Sequence, residues 1–209
     1  RANAALPRTG QHPRPVPATV IGAVSEPRPV WVLRPEPGNA ATCARVEAMG
    51  FTAVSLPLFT VEPVAWEVPD PADHDALLLT SANAVRHGST GLSALSTLPV
   101  YAVGDATAKA ARAAGLTIAT TGVGGVADMA ARLTQDKRAR VLHLTGHDFT
   151  ALPDGFAPTV RIVYAARERA EAEVLPSLIA APRPAHVLLH SVRAARRLAA
   201  LVAAAQIDP

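Results

Sequence analysis

From Val30 onward, short β-branched or aliphatic runs alternate with alanine-rich stretches carrying apolar residues three and four apart. A chain patterned this way switches between a two-residue and a 3.6-residue period, so strands and helices must follow one another along it. Strands are predicted at 30–34, 52–57, 75–80, 99–103, 117–120, 140–144, 159–164 and 186–190, and helices at 39–49, 82–95, 105–114, 125–134, 171–180 and 191–205. Asn39 and Asp105 can accept hydrogen bonds from free amides at helix starts, while Gly50 and Gly115 suit left-handed positions after helix ends. Strict alternation calls for parallel strands covered by helices on both faces, an α/β fold.

Two stretches break the rhythm. PLFTVEPVAWEV (57–68) and VRIVYAARERA (160–170) run extended without a helix beside them. They could be ordinary surface loops, or they could pair, in which case the chain leaves one sheet, completes a second and returns beside its exit. The second arrangement gives two lobes joined by a two-stranded hinge. Residues 1–29 are rich in proline, show neither period, and read as a disordered leader. Pro17 interrupts the short apolar core at Val16–Val24, which argues against a secretory signal.

Composition removes several classes of function. Hydrophobic residues make up 49% of the 209, enough for substantial cores, yet no apolar run approaches the roughly 18 residues that span a bilayer. No membrane partner is expected. Cys43 is the only cysteine, which excludes an internal disulfide and a cysteine-built metal site, and a cytoplasmic setting is expected. His143 and His147 fall at a strand end, where the geometry of a zinc-binding helix does not apply, so no metal is expected. Eighteen of the 20 basic residues are arginine. Guanidinium forks suit carboxylate or phosphate, although arginines of an alanine-rich chain can equally be solvated surface. Aromatics are 4%, and no basic stripe is interleaved with them, so nucleic acid is not an expected partner.

Four strand-to-helix turns gather small polar groups. ALLLTSANAV (76–85) runs from a buried strand into Thr80, Ser81 and Asn83 and then a helix, the place where open α/β sheets bind anions. Ser81 could equally do no more than cap that helix. VYAVGDATAKAARAAG (100–115) puts Gly104 where a ligand can approach the backbone, with Thr107 in the first helical turn. Asp105 beside it speaks against a phosphate cradle. HLTGHD (143–148) offers Thr145 and Gly146, and LLHSVRAARR (188–197) offers Ser191 with Arg193, Arg196 and Arg197 behind it. TTGVGGVADM (120–129) has glycines without dinucleotide or Walker spacing, and no G-x-S-x-G elbow occurs. These turns describe a hydrogen-bonding, anion-lined cleft better than a nucleophilic site.

TSANAV, the VGDATA turn followed by KAARAAG, the LTG turn and the IVYAARE stretch, in that order, resemble the uroporphyrinogen-III synthase family. VLRPEPGNA (32–40) and GFTAVSLPLFTVEP (50–63) are similar to its opening strand, helix and crossover, and the likeness covers about 30–209. Each motif is degenerate; their order carries the specificity. The resemblance implies two α/β/α lobes: a discontinuous one from 30–60 and 168–209, and an inserted, complete one from 61–163, with 57–68 and 160–170 as hinge strands. By that template the first lobe is shortened at its C-terminal end.

The family converts hydroxymethylbilane, a linear tetrapyrrole rich in carboxylates, into the type III macrocycle with ring D inverted and water lost. It uses no metal or organic cofactor. The implied partner is this small molecule, and a monomer is expected. By likeness Tyr164 matches a hinge tyrosine that could help the terminal hydroxyl leave; it could instead pack across the hinge with its hydroxyl on the backbone. Thr80, Ser81, Asn83, Gly104, Thr107, Thr145, Gly146 and Ser191 match turns facing the family's cleft. Two other readings stay open: a lobe that binds a tetrapyrrole or other polyanion without turnover, and a flavodoxin-like nucleotide-binding domain.

Overall fold

The computed structural model describes residues 29–88 and 91–206, so the proline-rich leader lies outside the described residues apart from Pro29. Two α/β lobes with parallel sheets are connected by strands. The smaller sheet is parallel throughout, in the order β2 (Ala53–Ser55), β1 (Val30–Val32), β9 (His186–Leu188). The larger begins with β3 (Phe59–Pro63) and β8 (Thr159–Glu168), followed by β7 (Val141–Gly146). β4 (Ala76–Leu79), β5 (Val100–Val103) and β6 (Ile118–Gly122) complete it. Within it only the β3–β8 pair is antiparallel.

The larger sheet follows from its sequence. β4 reads ALLL and β7 reads VLHLTG, and every residue of both is buried. Central parallel strands have helices on both faces, so they require continuous apolar runs rather than alternation. Leu77 and Leu79 point to one face, where they join Ala84, Leu92 and Ala108 on α2 (Ala82–Gly88), α3 (Gly91–Ala94) and α4 (Asp105–Ala113). Ala76 and Leu78 point to the other, against Met129 and Leu133 of α5 (Gly125–Gln135). The smaller lobe packs Trp31 and Leu33 with Leu58 and Phe59, and with Val174 and Leu178 of α6 (Glu171–Ala180) and Leu201 of α7 (Val192–Ala204).

Strand β8 links the lobes. Its first half lies beside β7, and from Tyr164 to Glu168 it pairs with β3, Pro63 opposite Tyr164 and Phe59 opposite Glu168. The two extended stretches are therefore a ladder and not surface loops. The β7 register skips Val163 between Ile162 and Tyr164, a bulge where the strand changes partners.

Local expectations differ at three places. The helix predicted at 82–95 is described as two, α2 and α3, on either side of residues 89–90, which lie outside the described residues; a Cβ at Gly91 would come within 2.6 Å of the Trp66 and Val68 side chains. Asn39 is not a cap but lies inside α1 (Gly38–Ala48), fully buried, donating to Val32 O at 2.8 Å and Arg34 O at 2.9 Å. It satisfies carbonyls at the end of β1, a need that local sequence does not reveal. Asp105 makes no capping bond, because Gly104 occupies the N-cap with φ of 80°. Gly50 and Gly115 do take left-handed conformations, at φ 85° and 81°. No helix among the described residues is long and apolar enough to cross a membrane.

Replacing Asn39 with alanine removes the donor to the half-buried Arg34 O and one of two donors to Val32 O, which keeps the Leu56 N–H at 3.0 Å, and should cost about 1–2 kcal/mol. Urea unfolding followed by circular dichroism measures this as a lower midpoint at unchanged slope.

Candidate functional site

Tyr164 stands where β8 leaves one partner for the other, and two hollows share it as a wall. One, of about 340 Å³, lies between the lobes and is bounded by Pro35, Phe59, Asn83, His190, Ser191 and Arg193, with His147 and Asp148 at its side. The other, of about 330 Å³, lies within the larger lobe above the strand ends, bounded by Thr80, Ser81, Gly125, Thr145 and Phe149 and again by Asp148. Each volume falls at the small end of ligand clefts, roughly 300–1,000 Å³.

Tyr164 is held by close packing. A Cβ at Gly146 would come within 2.5 Å of its ring, so glycine is what lets the ring lie on β7. On another side the His87 ring stacks at a tilt, centroids 6.0 Å apart. The phenol hydroxyl has no hydrogen-bond partner among the described residues, so the expectation of a backbone-bonded hydroxyl is not what the packing produces.

The polar turns converge in part. Thr80, Ser81 and Thr145 line the second hollow, Asn83 and Ser191 the first, and Gly146 backs Tyr164. Ser81 Oγ accepts from Asn83 N–H at 3.1 Å and Ser191 Oγ from Ala194 N–H at 3.1 Å, so both cap helices while facing a cavity. Gly104 and Thr107 line neither hollow; Thr107 is on the buried face of α4, and Val103, just before Gly104, reaches the second hollow instead.

Residues without a sequence signal complete the walls. Arg193 of α7 pairs with Asp148, from the loop after β7, across the space between the lobes. Its guanidinium also lies 4.8 Å from the centre of the Phe59 ring and 3.9 Å from Glu168, which Arg197 approaches at 3.4 Å. Only the position of Arg193 just after Ser191 hinted at this; Asp148, Phe59 and Pro35 come from separate segments that chain order does not connect.

Beneath Thr80, His143 is completely buried, and its Nε2 and Thr80 Oγ1 hydrogen-bond at 3.3 Å. Nδ1 has no partner, and Phe149 meets the ring edge-on at 5.5 Å. Burial pushes its pKa down to about 4 and keeps the imidazole neutral. Among the described residues no three His, Cys, Asp or Glu side chains gather as a metal site.

Comparison with known proteins now decides the family. The model of Uroporphyrinogen-III synthase HemD matches residues 40–208. The chain belongs to the uroporphyrinogen-III synthase family. Among solved structures it is similar to the uroporphyrinogen-III synthetase of Helicobacter pylori 26695, with a TM-score of 0.55 and 19% identity over 83% of this chain and 78% of that one. It is also similar to a mutant uroporphyrinogen III synthase of the extremely thermophilic bacterium Thermus thermophilus, at TM-score 0.48 and 16% identity, over 86% of this chain and 100% of that one. At such identity the likeness to the first structure speaks for the fold alone. A comparison with curated proteins found no match.

Two outcomes follow for this synthase-family site. His143 has a folded pKa of about 4 against an ordinary 6.5, so the unfolded chain takes up a proton first as pH falls. Stability is then full above pH 6.5 and declines toward pH 4 by on the order of 3 kcal/mol. His143→Leu should flatten that part of a urea-denaturation pH series. Gly146→Ala should displace the Tyr164 ring, seen as a shifted tyrosine ring resonance by NMR with the fold retained.

Proposed function

We propose that the chain cyclises hydroxymethylbilane to uroporphyrinogen III, inverting ring D and releasing water. The observation that carries this reading is Tyr164: a phenol with its hydroxyl unengaged, packed where the strands connecting the lobes meet, between two hollows walled by small polar groups. A flexible, carboxylate-rich substrate must be held folded before its ends can meet, and a cleft offering dispersed hydrogen bonds from both lobes suits that task. Thr80, Ser81, Asn83, Thr145 and Ser191 serve as donors to the substrate in this reading.

The Tyr164 phenol gives its proton to the terminal hydroxyl, which departs as water and leaves a cationic methylene on ring A. The substituted carbon of ring D attacks that methylene to form a spiro intermediate. Breaking its other bond and closing again at the free carbon inverts ring D, and loss of the ring proton, which restores the Tyr164 phenol, returns the pyrrole to aromaticity. Walls that restrain the ends of the substrate suppress the direct closure that yields the type I isomer. Positioning outweighs any single acid or base in such a reaction, so no residue of the set carries it alone.

Purified chain fed hydroxymethylbilane generated in situ should give an excess of type III over a protein-free control, with the oxidised isomers separated by chromatography. Type I as the only product, from protein shown to be folded, would overturn the reading and leave tetrapyrrole binding without turnover. Tyr164→Phe should lower kcat at least about tenfold with little change in KM, as removal of a general acid does.

A further inference from the structure

Three arginines at the mouth of the cleft have no use in the site as described so far. Arg34 follows β1 and adjoins Pro35, a wall of the hollow between the lobes; Arg45 lies two turns along α1. Both turn toward one hydroxyl: Arg34 Nη1 is 3.4 Å and Arg45 Nη2 3.5 Å from Thr42 Oγ1. That hydroxyl gives its own proton to Gly38 O at 2.9 Å, so it is free to accept. Two guanidinium groups thus crowd one neutral acceptor, and neither forms an ion pair among the described residues.

Space has been made for this. A Cβ at Gly38 would lie 2.6 Å from Arg34 Nε, so glycine is what admits the guanidinium against the start of α1. Across the cleft, Arg86 on α2 donates to Asn83 Oδ1 at 2.9 Å, and Asn83 lines the same hollow as Pro35. Arg86 has no carboxylate partner among the described residues either. The groups sense one another: burial, then Arg45, then Arg86 hold the Arg34 pKa below its ordinary value. His190, in the wall of the hollow, is lowered by burial and then by Arg34, with a smaller effect of Arg45. Glu36 precedes α1 and Glu47 lies on it, but Glu36 accepts from the Ala40 N–H at 3.1 Å, and neither forms an ion pair with these arginines among the described residues.

Like charges left together without counter-ions destabilise the empty protein, and an anion offsets that cost. We propose that Arg34 and Arg45 from one lobe and Arg86 from the other form a clamp for substrate carboxylates at the mouth of the cleft. This deepens the reading above and rests on it for the nature of the ligand. Planar forks suit carboxylates by paired hydrogen bonds, and a ligand carrying several carboxylates can engage both lobes at once. The three are positioning residues: they hold the ends of the molecule and touch none of the reacting carbons.

The test uses the whole chain and uroporphyrin I, a stable octacarboxylate, as a probe of binding by isothermal titration calorimetry. Arg45→Gln and Arg86→Gln, both at exposed positions, carry it, since Arg34→Gln disturbs packing on Gly38. Each should weaken binding about tenfold and flatten its salt dependence, while the exposed Arg112→Gln, with the same change of charge, leaves both unchanged. In turnover each should raise KM for hydroxymethylbilane with kcat nearly constant. Affinity and KM equal to those of Arg112→Gln would overturn the clamp. Arginine-dependent binding with type I as the only product would sustain the clamp while the synthase reading fails.

Discussion

Strand β8 is hydrogen-bonded to β7 along its first half and to β3 along its second, and the geometry of the cleft depends on that shared strand. A ladder is stiff in its own plane. Tying both lobes to one extended segment fixes where the wall contributed by Phe59 stands relative to the turns after β4 and β7. The bulge at Val163 sets the side to which Tyr164 projects, because a single added residue reverses every side chain beyond it. The phenol's position is a result of strand register before it is a matter of chemistry.

Around that fixed element, charges bridge the lobes loosely. Arg193 joins Asp148 and Glu168 on exposed ground, where ion pairs contribute little and yield to salt. Arg34 and Arg45 of the smaller lobe and Arg86 of the larger have no carboxylate partner among the described residues. Arg193 is thus neutralised by carboxylates while these three arginines are not, which leaves them available to a polyanion. Inside, His143 illustrates the opposite case: a titratable ring kept neutral by burial, supporting Thr80 from below.

Much of the fold was readable because apolar periodicity is imposed by burial. ALLL and VLHLT are short continuous apolar runs of the kind central strands require, and each predicted strand has a counterpart in the two sheets. Gly50 and Gly115 announced helix ends for a local steric reason. Asn39 and Asp105 misled for a complementary one. A capping residue is judged from its neighbours, but Asn39 is recruited by carbonyls of β1 and Asp105 is displaced by a glycine whose backbone already makes the turn. Gly91, the first residue of α3, packs against Trp66, a partner distant in sequence that the local pattern of 82–95 does not announce.

The sequence by itself determined the order of elements, the α/β class, the pairing of two extended stretches as one of two options, and a set of small polar turns at strand ends. These are consequences of composition and period within a few residues. Only tertiary structure decided which turns share a cavity: Thr80, Ser81 and Thr145 meet, whereas Gly104 and Thr107, with the same local chemistry, do not line it. It also brought Arg34 and Arg45 to one hydroxyl and set Arg86 across from them. Such meetings depend on sheet order and helix placement, which are settled by packing over the whole molecule and leave no local trace in the chain.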